Sequence, residues 1–300
     1  MEPETFVYKT AQGCDIHADL YRAASTAPAP VVVWIHGGAL IGGGREQMQP
    51  VLRRLLHESG FAQVSIDYRL APETKLPEII EDVRDALRWV REQGPGQLGI
   101  NPASVAVLGG SAGGYLSLMC GCCVAPRPRA VVAFYGYGDI MGDWYSRPDP
   151  FYCAQPAVPE DEARKAVGTA CISNQADKND RFRFYLWCRQ HGLWPREAMG
   201  VDPHKRPKAF KPYCPLQNVS KEYPPTLLLH GTGDTDVPYQ QSADMAMALQ
   251  TAGVPHELIT IEDGPHGFDG RVKEEDLNAP EQSAGVRALY KVVQFLAAYG

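Results

Sequence analysis

Residues 105–121 read VAVLGGSAGGYLSLMCG: an apolar stretch, a glycine cluster holding one serine, then helix-forming residues. Gly109, Ser111 and Gly113 fit G-x-S-x-G, and a strand-turn-helix context is the one in which such a serine is raised as a nucleophile. The structural alternative is a plain glycine turn. A serine hydroxyl is a poor nucleophile, so acyl-transfer chemistry also needs a base to take its proton and an acid to orient that base. LLLHGTGDTDVP places Asp234 directly after an apolar strand, and ITIEDGPHGFDG places His266 in the loop after the next one. Asp236 is the competing acid, two residues further from the strand end, while Asp263 precedes His266 too closely to face its ring easily. Of the alternatives for the base, His36 and His230 end strands, His256 begins one and His57 sits on a helix; His266, in a glycine-flanked loop, is free to be placed by its backbone and is the expected base. Attack on an acyl carbon also puts negative charge on oxygen, so preorganised N–H donors are required. The HGGA stretch, His36 to Ala39, follows a strand; Gly38 and Ala39 are its expected donors, and Ala112, beside the nucleophile, is the third.

Along the chain, strand-like and helix-like segments alternate, the pattern of a parallel sheet with helices on both faces. TFVYKT and CDIHADLYR suggest two edge strands, and Val31 to Ile35 a strand buried on both faces. MQPVLRRLLHESG and LPEIIEDVRDALRWVREQ have helical periodicity, the second with Ile79, Val83, Leu87 and Val90 on one face. FAQVSI, VAVLGG, AVVAFYGYG, PPTLLLHG and HELITI read as further strands, and SAGVRALYKVVQFLAAY as a closing helix. Catalytic groups at the carboxyl ends of parallel strands converge on one rim of the sheet, so residues distant in sequence can meet there.

Residues 139–220 break the alternation, being rich in proline, aromatic and charged residues with helical signals. They are expected to form a cap over the sheet inside a single domain spanning 1–300; a second independent domain is the competing reading. Its rings, with Tyr135 and Tyr137 just before it, offer walls for an apolar or aromatic acyl group; Tyr135, Tyr137 and Trp144 are the expected substrate contacts, although more than half of the rings are expected to form the cap's own core. Arg147, Arg181, Arg183 and Arg189 are expected mainly at the solvated surface, with a carboxylate partner as the alternative.

Composition excludes several classes. With 300 residues, 44% of them hydrophobic, the chain is long enough to bury a substantial core, and a net charge of −6 offers no footprint for nucleic acid. No run of 18 apolar residues suggests a transmembrane helix. The opening MEPETFVYKT has no apolar core of a signal sequence, so a cytoplasmic location with reduced cysteines is expected. Cys120, Cys122 and Cys123 lack zinc-site spacing, and neither a metal nor a cofactor is expected.

Taken together, HGGA, DYRLAPE (Asp67 to Glu73), GGSAGG, HGTGDTDVP and GPHGFDG resemble the hormone-sensitive-lipase-like esterases of the α/β-hydrolase fold, whose triad runs Ser, Asp, His along the chain. The resemblance implies an eight-stranded, mostly parallel sheet and a lid, with Ser111 as nucleophile, His266 as base, Asp234 as acid, HGGA as oxyanion hole, and Arg69 and Glu73 as loop anchors. Ala39 stands where the family commonly has a third glycine but still offers an N–H. Gly110 stands where an acidic residue is usual, and the amino terminus lacks the family's long helical cap segment. The expected activity is cleavage of a carboxylic ester of a small apolar or aromatic acid. Acyl transfer or cyclisation with the same triad, and an arylformamidase-like amide hydrolysis, are the alternatives. Hormone receptors on this fold have lost the triad histidine, so His266 argues against a purely binding role.

Overall fold

The computed structural model describes residues 2–24, 28–175 and 179–300. Eight strands are formed among them: β1 (Glu4–Ala11), β2 (Cys14–Tyr21), β3 (Ala29–Ile35), β4 (Ala62–Ile66), β5 (Ile100–Gly110), β6 (Val131–Phe134), β7 (Thr226–Gly231) and β8 (His256–Ile261). They build one sheet in the order β1-β2-β4-β3-β5-β6-β7-β8, antiparallel at β1-β2 and β2-β4 and parallel from β4 onward. The eight-stranded, mostly parallel arrangement expected from the sequence is therefore present.

The strands are continuous apolar runs because the sheet is covered on both faces. Along β3, Val31, Val33 and Ile35 enter one core while Val32 and Trp34 enter the other, as a two-residue side-chain period demands. The first core packs beneath α2 (Leu76–Gln93), α3 (Ala112–Cys123) and α10 (Gln240–Thr251); the second lies under α1 (Pro50–Glu58) and α11 (Ala284–Tyr299). Helix α2 begins with Pro77 and Glu78 in its first turn and buries Ile79, Val83, Leu87 and Val90, the face its periodicity indicated.

Between β6 and β7 the chain forms short helices: α4 (Asp143–Ser146), α5 (Pro150–Cys153), α6 (Glu160–Lys165), α7 (Phe182–His191), α8 (Trp194–Met199) and α9 (Pro207–Phe210). Residues 176–178 of this segment lie outside the described residues. Its buried rings, including Tyr145, Phe184, Trp187 and Trp194, are continuous with the core around α2 and α3. Tyr137 supplies part of that continuity, stacking on Tyr115 of α3 at 4.7 Å and meeting Trp144 edge-on at 5.4 Å.

Candidate active site

Strand β5 runs straight into the serine. Ser111 has φ 57° and ψ −121°, a strained conformation that turns the chain sharply into α3 and leaves its side chain at the rim of the sheet. The turn is held by the Ser111 amide donating to Phe134 O (2.9 Å) and the Tyr115 amide donating to Ser111 O (2.9 Å). Glycine is required two residues on, since a Cβ on Gly113 would fall 2.0 Å from Ile35 O of the neighbouring strand.

The loops after β7 and β8 bring the other two groups. Gly231 makes their approach feasible, because a Cβ there would lie 1.9 Å from Gly264 O. His266 Nε2 is 3.0 Å from Ser111 Oγ, and its Nδ1 is 2.7 Å from Asp234 Oδ2. The Asp234 side chain is sealed from solvent; Oδ1 accepts from the amides of Asp236 (2.8 Å) and Val237 (2.9 Å), and Oδ2 also meets His230 Nε2 at 3.2 Å. Burial opposes its charge, but hydrogen bonds from His230, His266 and the Val237 amide, with the charge of His266, hold its carboxyl far below the usual range. Burial likewise disfavours an imidazolium at His266, yet the hydrogen bond to Asp234 and the charges of Asp236, Asp234 and Asp269 raise its pKa above the ordinary histidine value.

The loop after β3 closes the other side. His36 is fully buried, stacks on Tyr68 at 4.2 Å and places Nδ1 2.8 Å from Gly37 O; burial pushes its pKa down to about 4, so at neutral pH it is an uncharged brace. Tyr68 Oη donates to His36 O and Gly37 O. Gly38 (φ 93°), Ala39 (φ 52°) and Leu40 (φ 63°) all have positive φ, and the amides of Ile41 and Gly42 turn back to Gly38 O. Gly38 and Ala39 of this loop border the same cavity as Ser111, and Ala112, the third expected donor, follows the serine as the first residue of α3. Gly38, Ala39, Ser111, Tyr135, Asp236 and His266 all border one cavity of about 740 Å³, extended by Trp34, Phe182 and Tyr185.

Of the three rings expected to touch substrate, the cavity takes one. The chain leaves β6 with φ 37° at Tyr135, which sends that ring to the cavity, 4.6 Å from the His266 ring, with Oη donating to Asp269 Oδ1 at 2.6 Å. Tyr137, two residues later, is buried against α3, and Trp144 stacks on Tyr145 at 4.2 Å while its Nε1 donates to Asp139 O; neither borders the cavity.

The arginine expectation divides in the same way. Arg147 and Arg183 are exposed, whereas Arg181 and Arg189 are buried and paired with carboxylates of the protein itself. Arg189 joins Asp149 (2.6 Å) to Asp236 (2.8 Å) from within a shell formed by Tyr145, Tyr152 and Tyr185. This network was not visible in the sequence; its one signal was Arg189 lying among aromatic residues in FRFYLWCRQ. Asp236 therefore faces the Nε2 side of His266 at 3.6 Å, while Asp234 takes the Nδ1 side. Arg69 pairs with Asp82 and Glu73 with Arg181, the loop-anchoring contacts that the resemblance implied. Among the described residues, no cluster of three or more His, Cys, Asp or Glu side chains is arranged to hold a metal ion. Among the described residues, no helix is long and apolar enough to cross a membrane.

A profile of the alpha/beta hydrolase fold matches residues 32–270, most of the chain and all the groups above. The chain belongs to the α/β-hydrolase family. This α/β hydrolase is 29% identical to the non-reducing polyketide synthase pkbA of Emericella nidulans over 89% of its own length and 13% of the synthase. It therefore spans only a small part of that relative. Among solved structures it resembles a Staphylococcus aureus protein of unknown function (TM-score 0.78, 23% identity, 99% of this chain and 98% of that one). It also resembles Thermogutta terrifontis esterase 2 phosphonylated by cyclosarin (TM-score 0.70, 22% identity, 99% and 94%). At these identities the structural likeness speaks for the fold.

Proposed function

We propose that this α/β hydrolase is a serine hydrolase that cleaves a carboxylic ester, or a related acyl bond, of a small apolar or aromatic acid through an acyl-enzyme. The reading is carried by the relay Ser111, His266, Asp234, with its 3.0 and 2.7 Å links, opening into a cavity that Gly38 and Ala39 also border. In this reading His266 Nε2 takes the Ser111 proton as Oγ attacks the acyl carbon, and the developing oxyanion rests on the amides of Gly38, Ala39 and Ala112. His266 then protonates the leaving group, and water repeats the cycle on the acyl-enzyme. Asp234 keeps the imidazole in its working tautomer and offsets its positive charge. Residues 139–220 act as the cap, with Phe182 and Tyr185 forming part of the acyl-binding wall.

A second reading, acyl transfer or cyclisation on the same serine, is favoured by the likeness to a polyketide synthase over nearly the whole chain. Both readings share the covalent step. The experiment that tests it is intact mass after treatment with a fluorophosphonate, on the native protein and on Ser111→Ala. One adduct on the native chain, absent from the variant, is expected; no adduct on folded native protein would overturn the proposal. Products formed from aromatic esters and thioesters, with and without competing alcohols, then separate hydrolysis from transfer.

A further inference from the structure

The carboxylate of Asp236 has an unusual posture for a group bordering a cavity. Its Oδ1 accepts three hydrogen bonds, from Tyr152 Oη (2.6 Å), Tyr185 Oη (2.8 Å) and an Arg189 guanidinium nitrogen (2.8 Å). Its own amide is fixed to Asp234 Oδ1 at 2.8 Å, so backbone and side chain are both immobilised. The second oxygen, Oδ2, receives none of these bonds and stands 3.6 Å from His266 Nε2, on the same side of the imidazole as Ser111 Oγ. Four groups from two helices and a strand-end loop thus hold one acceptor beside the base.

We propose that Asp236 Oδ2 and His266 Nε2 form a two-acceptor seat for the molecule that attacks the acyl-enzyme, and that this seat favours water over alcohols. The inference rests on the acyl-enzyme reading above. A water molecule has two O–H donors and satisfies both acceptors at once; an alcohol has one, and if it is spent on Nε2 the carboxylate oxygen is left without a partner. In the step itself, the water oxygen bonds to the acyl carbon as one of its protons passes to Nε2, while the other O–H stays on Asp236. The resulting oxyanion collapses, the Ser111 Oγ to acyl bond breaks, Oγ recovers the proton from Nε2, and the free acid leaves. Asp236 takes no net proton; it orients the attacking oxygen.

The test is the partition of the acyl-enzyme formed from p-nitrophenyl butyrate between butyric acid and methyl butyrate at fixed methanol concentration. In Asp236→Asn and Asp236→Ser, the ester-to-acid ratio is expected to rise about fivefold, the factor that one hydrogen bond is worth. A p-nitrophenol burst should appear as deacylation slows. A variant that merely loosened the fold would lower both products together, so an unchanged ratio in a variant that melts as the native protein does overturns the inference. The unmodified protein gives a second reading that needs no variant. O-methylhydroxylamine, with two N–H donors, should trap the acyl group several-fold better than N,O-dimethylhydroxylamine, with one, and equal trapping overturns the seat. Absence of a fluorophosphonate adduct on Ser111 would instead sink the acyl-enzyme reading itself.

Discussion

Arg181 and Glu73 meet as a two-pronged ion pair, with NH1 to Oε1 at 2.8 Å and NH2 to Oε2 at 2.6 Å, and both side chains are nearly sealed from solvent. Arg181 belongs to the segment between β6 and β7, Glu73 to the loop after β4, and the guanidinium also donates to the carbonyls of Ile41 and Ala71. One side chain therefore joins the segment between β6 and β7, the loop after β3 and the loop after β4. Burial disfavours the Glu73 charge, but the Arg181 hydrogen bonds outweigh it and hold the carboxyl below its ordinary value.

Removing one partner of such a pair leaves the other charge buried and unpaired, which costs more than the pair contributes. Glu73→Ala is expected to destabilise the protein by about 3 kcal/mol. Calorimetry should show the lower melting temperature, and limited proteolysis should cut first near Arg181. A melting curve superimposable on the native one would contradict this.

Ala39 has φ 52°, in the region an L side chain enters at a cost of roughly 1–2 kcal/mol. Glycine there removes the strain but adds freedom to the unfolded chain, so Ala39→Gly is expected to stabilise by about 0.5–1 kcal/mol. It keeps the amide, so ester turnover should stay within a factor of about three of native, well under the loss of a full oxyanion donor. Chemical denaturation alongside an ester assay checks both halves.

At Gly113 the sign reverses. The Ile35 carbonyl in the way of a Cβ is backbone at the end of β3, held between β4 and β5, and cannot swing aside. Gly113→Ala should cost about 2–3 kcal/mol or more and displace Ser111 enough to abolish fluorophosphonate labelling. Retained labelling at the native rate would show that the serine turn tolerates the extra methyl.

The acid limb of kcat/KM follows from the raised pKa of His266. Only the neutral imidazole accepts the Ser111 proton, so activity falls as pH drops through the His266 value, and the midpoint is expected above the ordinary 6.5. Asp236 is one of the charges that raise it, so Asp236→Asn should move the midpoint to lower pH. Asp234→Asn should lower turnover by about four decades through the wrong tautomer. A native midpoint below 6.5 would be the contrary result.

Much of the frame was legible because the relevant signals are local. Val31 to Ile35 announces a doubly buried strand by its own residues, and Ser111, Asp234 and His266 each follow such a strand, so their meeting at one rim needed only the parallel topology. The segment between β6 and β7 was legible as helical but not in its packing. Tyr135 and Tyr137 were expected on the same wall, yet the left-handed turn at Tyr135 sends the two rings to opposite faces of the sheet. For Arg189 the general habit of arginine favours the surface over a carboxylate partner; nothing local shows that Asp149, 40 residues earlier, and Asp236, 47 later, close around it. Long-range charge pairing has no period to read.

The crossover that carries residues 139–220 leaves the end of β6 and re-enters at the start of β7, strands paired side by side from Val131 with Thr226 to Phe134 with Leu229. Those neighbouring strands fix the two stumps independently of what lies between them, so the segment behaves as a cassette that could be exchanged for a relative's without altering the sheet's register. Such a graft must bring its own cations, however: one to answer Glu73 and one to answer Asp236. Two carboxylates outside the segment thus set the charges that any chain in its place must answer.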